Sequence, residues 1–130
     1  MIAFRLDTRS GVPTYLQLVH QVRQAIRLGF LQPGDQLPTV KEVVGQLAIN
    51  PNTVLKAYRE LDHEGLVEGR RGQGTFVALD VEPASRDDHD DLRDELVTWM
   101  RKARADGLDD DDIAAVVAAA LREAFAEEAA

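Results

Sequence analysis

The chain has 130 residues, 45% hydrophobic and 29% charged, the mix of a soluble globular chain with one ordinary domain, or one small domain and an appendage. It contains no cysteine, which excludes disulfides, thiolate metal sites and cysteine nucleophiles. Its 23 acids against 15 bases give a formal net charge of -8, which taken whole argues against a nucleic-acid partner.

Met1 to Gly11 carries Arg5, Asp7 and Arg9 with no apolar run between them, so no secretory signal is expected there. No stretch approaches the roughly 20 apolar residues that span a bilayer, so the expectation is a cytoplasmic protein with no membrane partner. Residues 13–29 read as a helix. Pro13 opens it, Tyr15, Val19, Val22 and Ile26 recur at helical spacing, and Gly29 stops it. Leu31 to Asp35 is a turn around Pro33-Gly34. Thr39-Val40-Lys41-Glu42 fits a capping box, and a short helix with Val43, Val44 and Leu47 follows. After a tight turn from Leu47, Asn50 caps a third helix that has Pro51 at its first position and reaches about Glu64. Val54, Ala57, Tyr58 and Leu61 fall on one side of that helix. Asn52, Lys56, Arg59 and His63 form a narrow stripe on the other, with Leu55 at the boundary. Tyr58 therefore reads as a core residue.

Leu66 to Glu68 and Thr75 to Leu79 read as the strands of a hairpin whose tip is Gly69-Arg70-Arg71-Gly72-Gln73-Gly74. An acidic linker takes residues 80–89. A fourth helix runs from about Asp90 to Arg104, with Leu92, Leu96, Trp99, Met100 and Ala103 on one face. A fifth begins at the acids Asp109 to Asp112, which favour a helix start, and carries Ile113, Val116, Val117, Ala120, Leu121 and Ala124. Two such amphipathic helices cannot bury their faces alone. They must pack on the first domain or on a second copy.

The fold class is thus mainly α with a small β-hairpin wing: a winged helix-turn-helix domain over 1–79, a linker over 80–89 and a helical hairpin over 90–130. The charge divides at the same place. Residues 1–79 hold nine bases (Arg5, Arg9, Arg23, Arg27, Lys41, Lys56, Arg59, Arg70, Arg71) against seven acids, net +2. Residues 80–130 hold six bases against sixteen acids, net -10. So the acidity belongs to the tail.

A helix of this width fits the major groove, with its N-terminal residues meeting base edges. Asn52 can bond an adenine edge through two hydrogen bonds, Asn50 and Thr53 stand where phosphates would lie, and Lys56 and Arg59 reach a base or a phosphate. Arg70 and Arg71 between glycines make a slender cationic finger suited to a backbone or a narrow minor groove.

Residues 15–78 resemble the winged-helix domain of the GntR family of bacterial transcription regulators. The resemblance lies in Pro33-Gly34-Asp35-Gln36-Leu37-Pro38-Thr39, Asn52-Thr53-Val54, Ala57-Tyr58, Leu61, Glu64-Gly65-Leu66 and Gly72-Gln73-Gly74-Thr75-Phe76-Val77. Asn50-Pro51-Asn52-Thr53 with Lys56-Ala57-Tyr58, and the short tail, are similar to the YtrA-like subfamily. The resemblance implies a dimeric repressor on an inverted repeat of double-stranded DNA. It adds Thr39, Lys41, Gly72 and Gln73 to the DNA-contacting set. It gives the tail, through Leu92, Leu96, Trp99, Met100, Ile113, Val116, Val117 and Leu121, a dimerising role. This chain lacks the bases that many relatives carry at the positions of Pro51 and Leu55, so operator rules of the wider family do not transfer.

Other classes fare worse. His20, His63 and His89 are scattered with no nucleophile beside them, so no catalytic residue and no enzyme is expected. Neither Asp87 to Asp91 nor Asp109 to Asp112 has a closed ligand spacing, so no metal is expected. No cofactor is indicated, and a small-molecule effector has no identifiable site. The alternative is a winged-helix protein-interaction module that does not bind DNA.

Overall fold

The structure, a computed structural model, describes residues 2–82 and 89–126. Helix α1 spans Thr14–Arg27, two residues shorter at its end than the periodicity predicts and one shorter at its start. Pro13 stays extended outside the helix, and its carbonyl accepts from the Leu16 and Gln17 amides. Gly29 turns the chain at φ +82, a conformation that costs glycine little. The Phe30 and Leu31 amides then close back on the Ala25 carbonyl.

Ahead of α1 lies an extended segment that periodicity alone does not reveal. Phe4 is buried in the core. The amide side chain of Gln21 both accepts from and donates to the Arg5 backbone, and that of Gln17 does the same for Asp7. Two glutamines on α1 thus pin this segment as a neighbouring strand would.

Helix α2 (Val40–Leu47) opens on the predicted capping box, with both Thr39–Glu42 bonds formed. Ala48 takes the left-handed conformation (φ 54) that lets the chain reverse within three residues. Helix α3 (Pro51–His63) follows and packs on α1 and α2 through Val54, Ala57, Tyr58 and Leu61. Arg23 of α1 and Glu64 just past α3 form a two-point ion pair, with Nε–Oε2 at 3.1 Å. That hydrogen bonding holds the Arg23 guanidinium above its ordinary pKa.

The hairpin differs from expectation in its bounds. Strand β1 is Val67–Arg70 and β2 is Gly74–Val77, in antiparallel register with Val67 opposite Val77 and Arg70 opposite Gly74. The tip is therefore only Arg71-Gly72-Gln73. Arg70 belongs to the strand, because the ladder runs two residues further toward the tip than the glycines suggest. The predicted turn at 31–35 also continues as a third strip. The Gly34 amide donates to the Val77 carbonyl, Val77 to Asp35 and Leu37 to Thr75, all within 2.9 Å. The wing is thereby stitched to the segment that leads into α2. Leu18, Val19, Val22, Leu37, Val43, Val54, Leu61 and Val77 form the sealed centre of this unit.

The chain divides into two compact units, residues 1–86 and 87–130. In the second, α4 (Asp90–Ala105) turns through Gly107 (φ +100) into α5 (Asp110–Ala124). Asp109 and Asp112 form a second capping box, which gives two of the four acids a bonded role. Arg104 meets Asp110 at 3.3 Å, a solvent-exposed pair that contributes little. Most of the predicted 80–89 linker, and Asp87 and Asp88 of the first acidic run, lie outside the described residues. Among the described residues, no helix is long and apolar enough to cross a membrane.

Candidate nucleic-acid interface

Asn50 serves as the predicted cap of α3: its Oδ1 accepts from the Asn52 amide at 2.8 Å. The side-chain NH2 of Asn50 remains a donor at the helix start, and the Asn52 side chain stands exposed one residue inside the first turn. Lys56, Arg59 and His63 follow along the same exposed stripe, while Thr53 is half-buried at its edge. The first turn of α3 therefore presents amide groups, and the second and third present cations.

Lys56 has a partner that sequence reading missed. Its Nζ lies 4.1 Å from the centroid of the Tyr15 ring at the start of α1. A cation over an aromatic face is attracted to it. The contact brings Lys56 to the α1 side of the stripe. Tyr15 recurs with the apolar face of α1, so the signal in the sequence was identical to that of a core residue.

Tyr58 lies on the other flank. It is buried, as expected, and its hydroxyl donates to the Pro38 carbonyl at 2.6 Å. This bond ties α3 to the residue before the Thr39 cap, so the start of α2, with exposed Thr39 and Lys41, is held beside the exposed stripe. Burial, with a lesser contribution from the charge of Glu42, pushes the Tyr58 phenol well above its ordinary value. A phenol whose folded pKa is raised contributes stability that is intact below the unfolded value, about 10, and is lost as pH rises past it. Tyr58→Phe is expected to cost about 1–3 kcal/mol at neutral pH, by leaving the Pro38 carbonyl without its donor. It should also lessen the fall in stability above about pH 10. Urea melts of both proteins at pH 7 and pH 11 check this; parallel losses in the two would remove Tyr58 as the alkaline-sensitive group.

In the wing, Arg70 is engaged rather than free at a tip. It pairs with Glu68 at 3.0 Å, and its guanidinium lies 4.3 Å from the Phe76 ring centroid. Arg71 is exposed in the turn closed by the Gln73 amide on the Arg70 carbonyl, and makes no ion pair among the described residues. Gly72, at φ +76, allows that turn. Gln36 Nε2 donates to the Gln73 carbonyl at 3.2 Å, which links the tip to the strip leading into α2. Gly74 (φ +125) leaves room for that amide, since a Cβ there would stand 2.8 Å from Gln36 Nε2. If the tip meets a phosphate, Arg71→Ala should lower the slope of log affinity against log salt by about one, and Arg70→Ala, whose charge is already shared with Glu68, by less. Anisotropy titrations across a salt series measure both; equal slopes for Arg71→Ala and wild type would remove the wing from the interface.

Residues 14–77, the part of the chain that builds α1 to β2, match the family described as "Bacterial regulatory proteins, gntR family". A regulator of Bacillus subtilis, YhcF, is 42% identical over 88 residues, covering 68% of this chain and 69% of that protein. The chain belongs to the GntR family. The transcriptional repressor YtrA of Bacillus subtilis is 43% identical over 74 residues, covering 57% of each chain. The chain thus matches just over half the length of that repressor. Among solved structures, the DNA-binding domain of AraR in complex with operator ORE1 matches with a TM-score of 0.50 and 29% identity, over 60% of this chain and 95% of that one.

The GntR match ends at residue 77, so the second unit must be read from its own surface. Ala103 is buried, and Met100, Ile113 and Val117 are half-buried where α4 meets α5. Leu92 (64% exposed), Leu96, Trp99, Val116 and Leu121 (57%) stay open to solvent. The eight residues predicted for pairing thus divide. Met100, Ile113 and Val117 serve the hairpin of α4 and α5, and the other five are exposed apolar residues. Phe125 was missed and is also exposed, because it lies past the last regular repeat of α5.

Proposed function

We propose that this GntR-family protein is a sequence-specific regulator of transcription, a dimeric repressor on an inverted-repeat DNA operator. The observation that carries the proposal is the exposed stripe of α3. Asn52, Lys56 and Arg59 stand on one face of a helix whose other face is sealed in the core. Tyr58 of α3 bonds the Pro38 carbonyl just before the Thr39 cap and Lys41, and Gln36 of the strip leading into α2 bonds the wing tip of Arg71, Gly72 and Gln73, which supports a shared surface.

In this reading α3 enters a major groove, with Asn52 on a base edge and Asn50 and Thr53 on phosphate. Lys56 and Arg59 neutralise the groove walls. Lys41, Thr39 and Arg71 hold adjacent backbone and fix the register. Arg70 contributes through the wing's shape more than through charge. The exposed apolar residues of α4 and α5 pair with those of a second copy, so that two half-sites about one helical turn (roughly 34 Å) apart are read together. The similar DNA-binding domain of AraR is solved in complex with an operator, which supports DNA as the partner.

Selection of duplexes from a random-sequence pool, followed by footprinting at two salt concentrations, tests the reading. An enriched inverted repeat with salt-sensitive protection is expected. No enrichment would overturn it and favour a winged helix that binds protein instead.

A further inference from the structure

We infer that Leu55 is a specificity-determining residue that reads the 5-methyl group of a thymine in the major groove. This rests on the DNA reading above. Helix α3 sends Val54, Ala57, Tyr58 and Leu61 into the core, yet Leu55 stands 40% exposed. Isolated exposed apolar residues are ordinary, and Phe30 and Leu79 are others in this unit. What separates Leu55 is its place. At 3.6 residues per turn it lies about 60° from Asn52 and about 40° from Arg59, one turn beyond Asn52 along the helix.

The two flanks of the stripe are defined by contacts. Lys56 marks the α1 side by its position over Tyr15, and Tyr58 marks the α2 side by its bond to Pro38. Leu55 falls between Asn52 and Tyr58, so it forms the α2-side half of the face that Asn52 and Arg59 occupy. A leucine offers no hydrogen bond. The apolar feature that base edges present in the major groove is the thymine methyl. A face that pairs an amide suited to adenine with an aliphatic side chain one turn on is chemically matched to A·T pairs.

The test uses the duplex selected by this protein from the random pool, with each thymine replaced in turn by deoxyuridine, which removes only the methyl. One position per half-site should weaken wild-type binding about fourfold, the factor for losing one buried methyl-sized group. Leu55→Ala should bind the parent duplex more weakly by a similar factor and be indifferent to the replacement at that position. Leu55→Met should keep the sensitivity, and Leu55→Gln, which holds the length of the side chain, should lose it. A flat scan for wild type, or a scan unchanged in Leu55→Ala and Leu55→Gln, overturns the inference while leaving DNA binding intact. Failure of wild type to select any duplex overturns the DNA reading itself, and this inference with it.

Discussion

Truncation after Glu82 is expected to leave a folded monomer that binds one half-site and loses about 10²- to 10⁴-fold in affinity for the full operator, the range by which linking two sites exceeds either alone. The first unit should survive because its core closes on itself. The buried apolar residues from Phe4 to Val77 form one cluster drawn from the opening segment, α1, α2, α3, the wing and the strip before α2. The second unit is the opposite case. Its two helices bury little between them and leave Leu92, Leu96, Trp99, Val116 and Leu121 exposed. Apolar surface of that kind gains about 25 cal/mol per Å² when covered, and a second copy offers an identical face. Sedimentation of the full chain and of residues 1–82, with titrations on whole and half operators, checks the expectation. A stable dimer of residues 1–82 would overturn the role given to the tail.

Asn52→Ala is expected to lower discrimination between operator and random DNA by about 1–3 kcal/mol, the value of one bidentate base contact. The domain itself should be unaffected. The Asn52 side chain is exposed, and the capping bond at this position is made by its backbone amide to Asn50 Oδ1, which alanine preserves. Gel shifts with operator and scrambled competitor separate the outcomes. A loss of equal size on both DNAs would make Asn52 a phosphate contact and move base reading elsewhere along α3.

The distribution of charge bears on both results. A net charge of -10 gathers in residues 80–130, and the first 79 residues exceed neutrality by only two. Structure narrows this further. Arg23 is spent on Glu64 and Arg70 on Glu68, so Lys41, Lys56, Arg59 and Arg71 remain as the cations of the α2, α3 and wing-tip surface. Four placed charges predict a moderate salt dependence.

Much of this was legible before any coordinates. Thr39 with Glu42, and Asn50 before Pro51, are local devices: a side chain bonds a backbone amide two or three residues away, so the pattern predicts the contact. The same holds for Gly29 and Gly72, where backbone conformation selects the residue. The partition of α3 into buried and exposed faces follows from its period alone. What was not legible depends on residues distant in the chain. Nothing near Tyr15 announces Lys56, 41 positions on, and nothing near Gln36 announces the wing tip. The capture of the Phe4 segment by Gln17 and Gln21 was equally silent, since glutamines on a helix ordinarily face water.

For this protein, then, the order of elements, the helix caps, the exposed stripe of α3 and the division of charge were determined by the sequence, because each is a property of short-range geometry and periodicity. The tertiary structure decided which cations are free to meet a ligand, that Arg70 lies in a strand beside Glu68, and that Leu55 stands in the open beside the exposed stripe of α3. Those outcomes turn on the approach of surfaces far apart in the chain, where packing rather than local preference selects a side chain's partner.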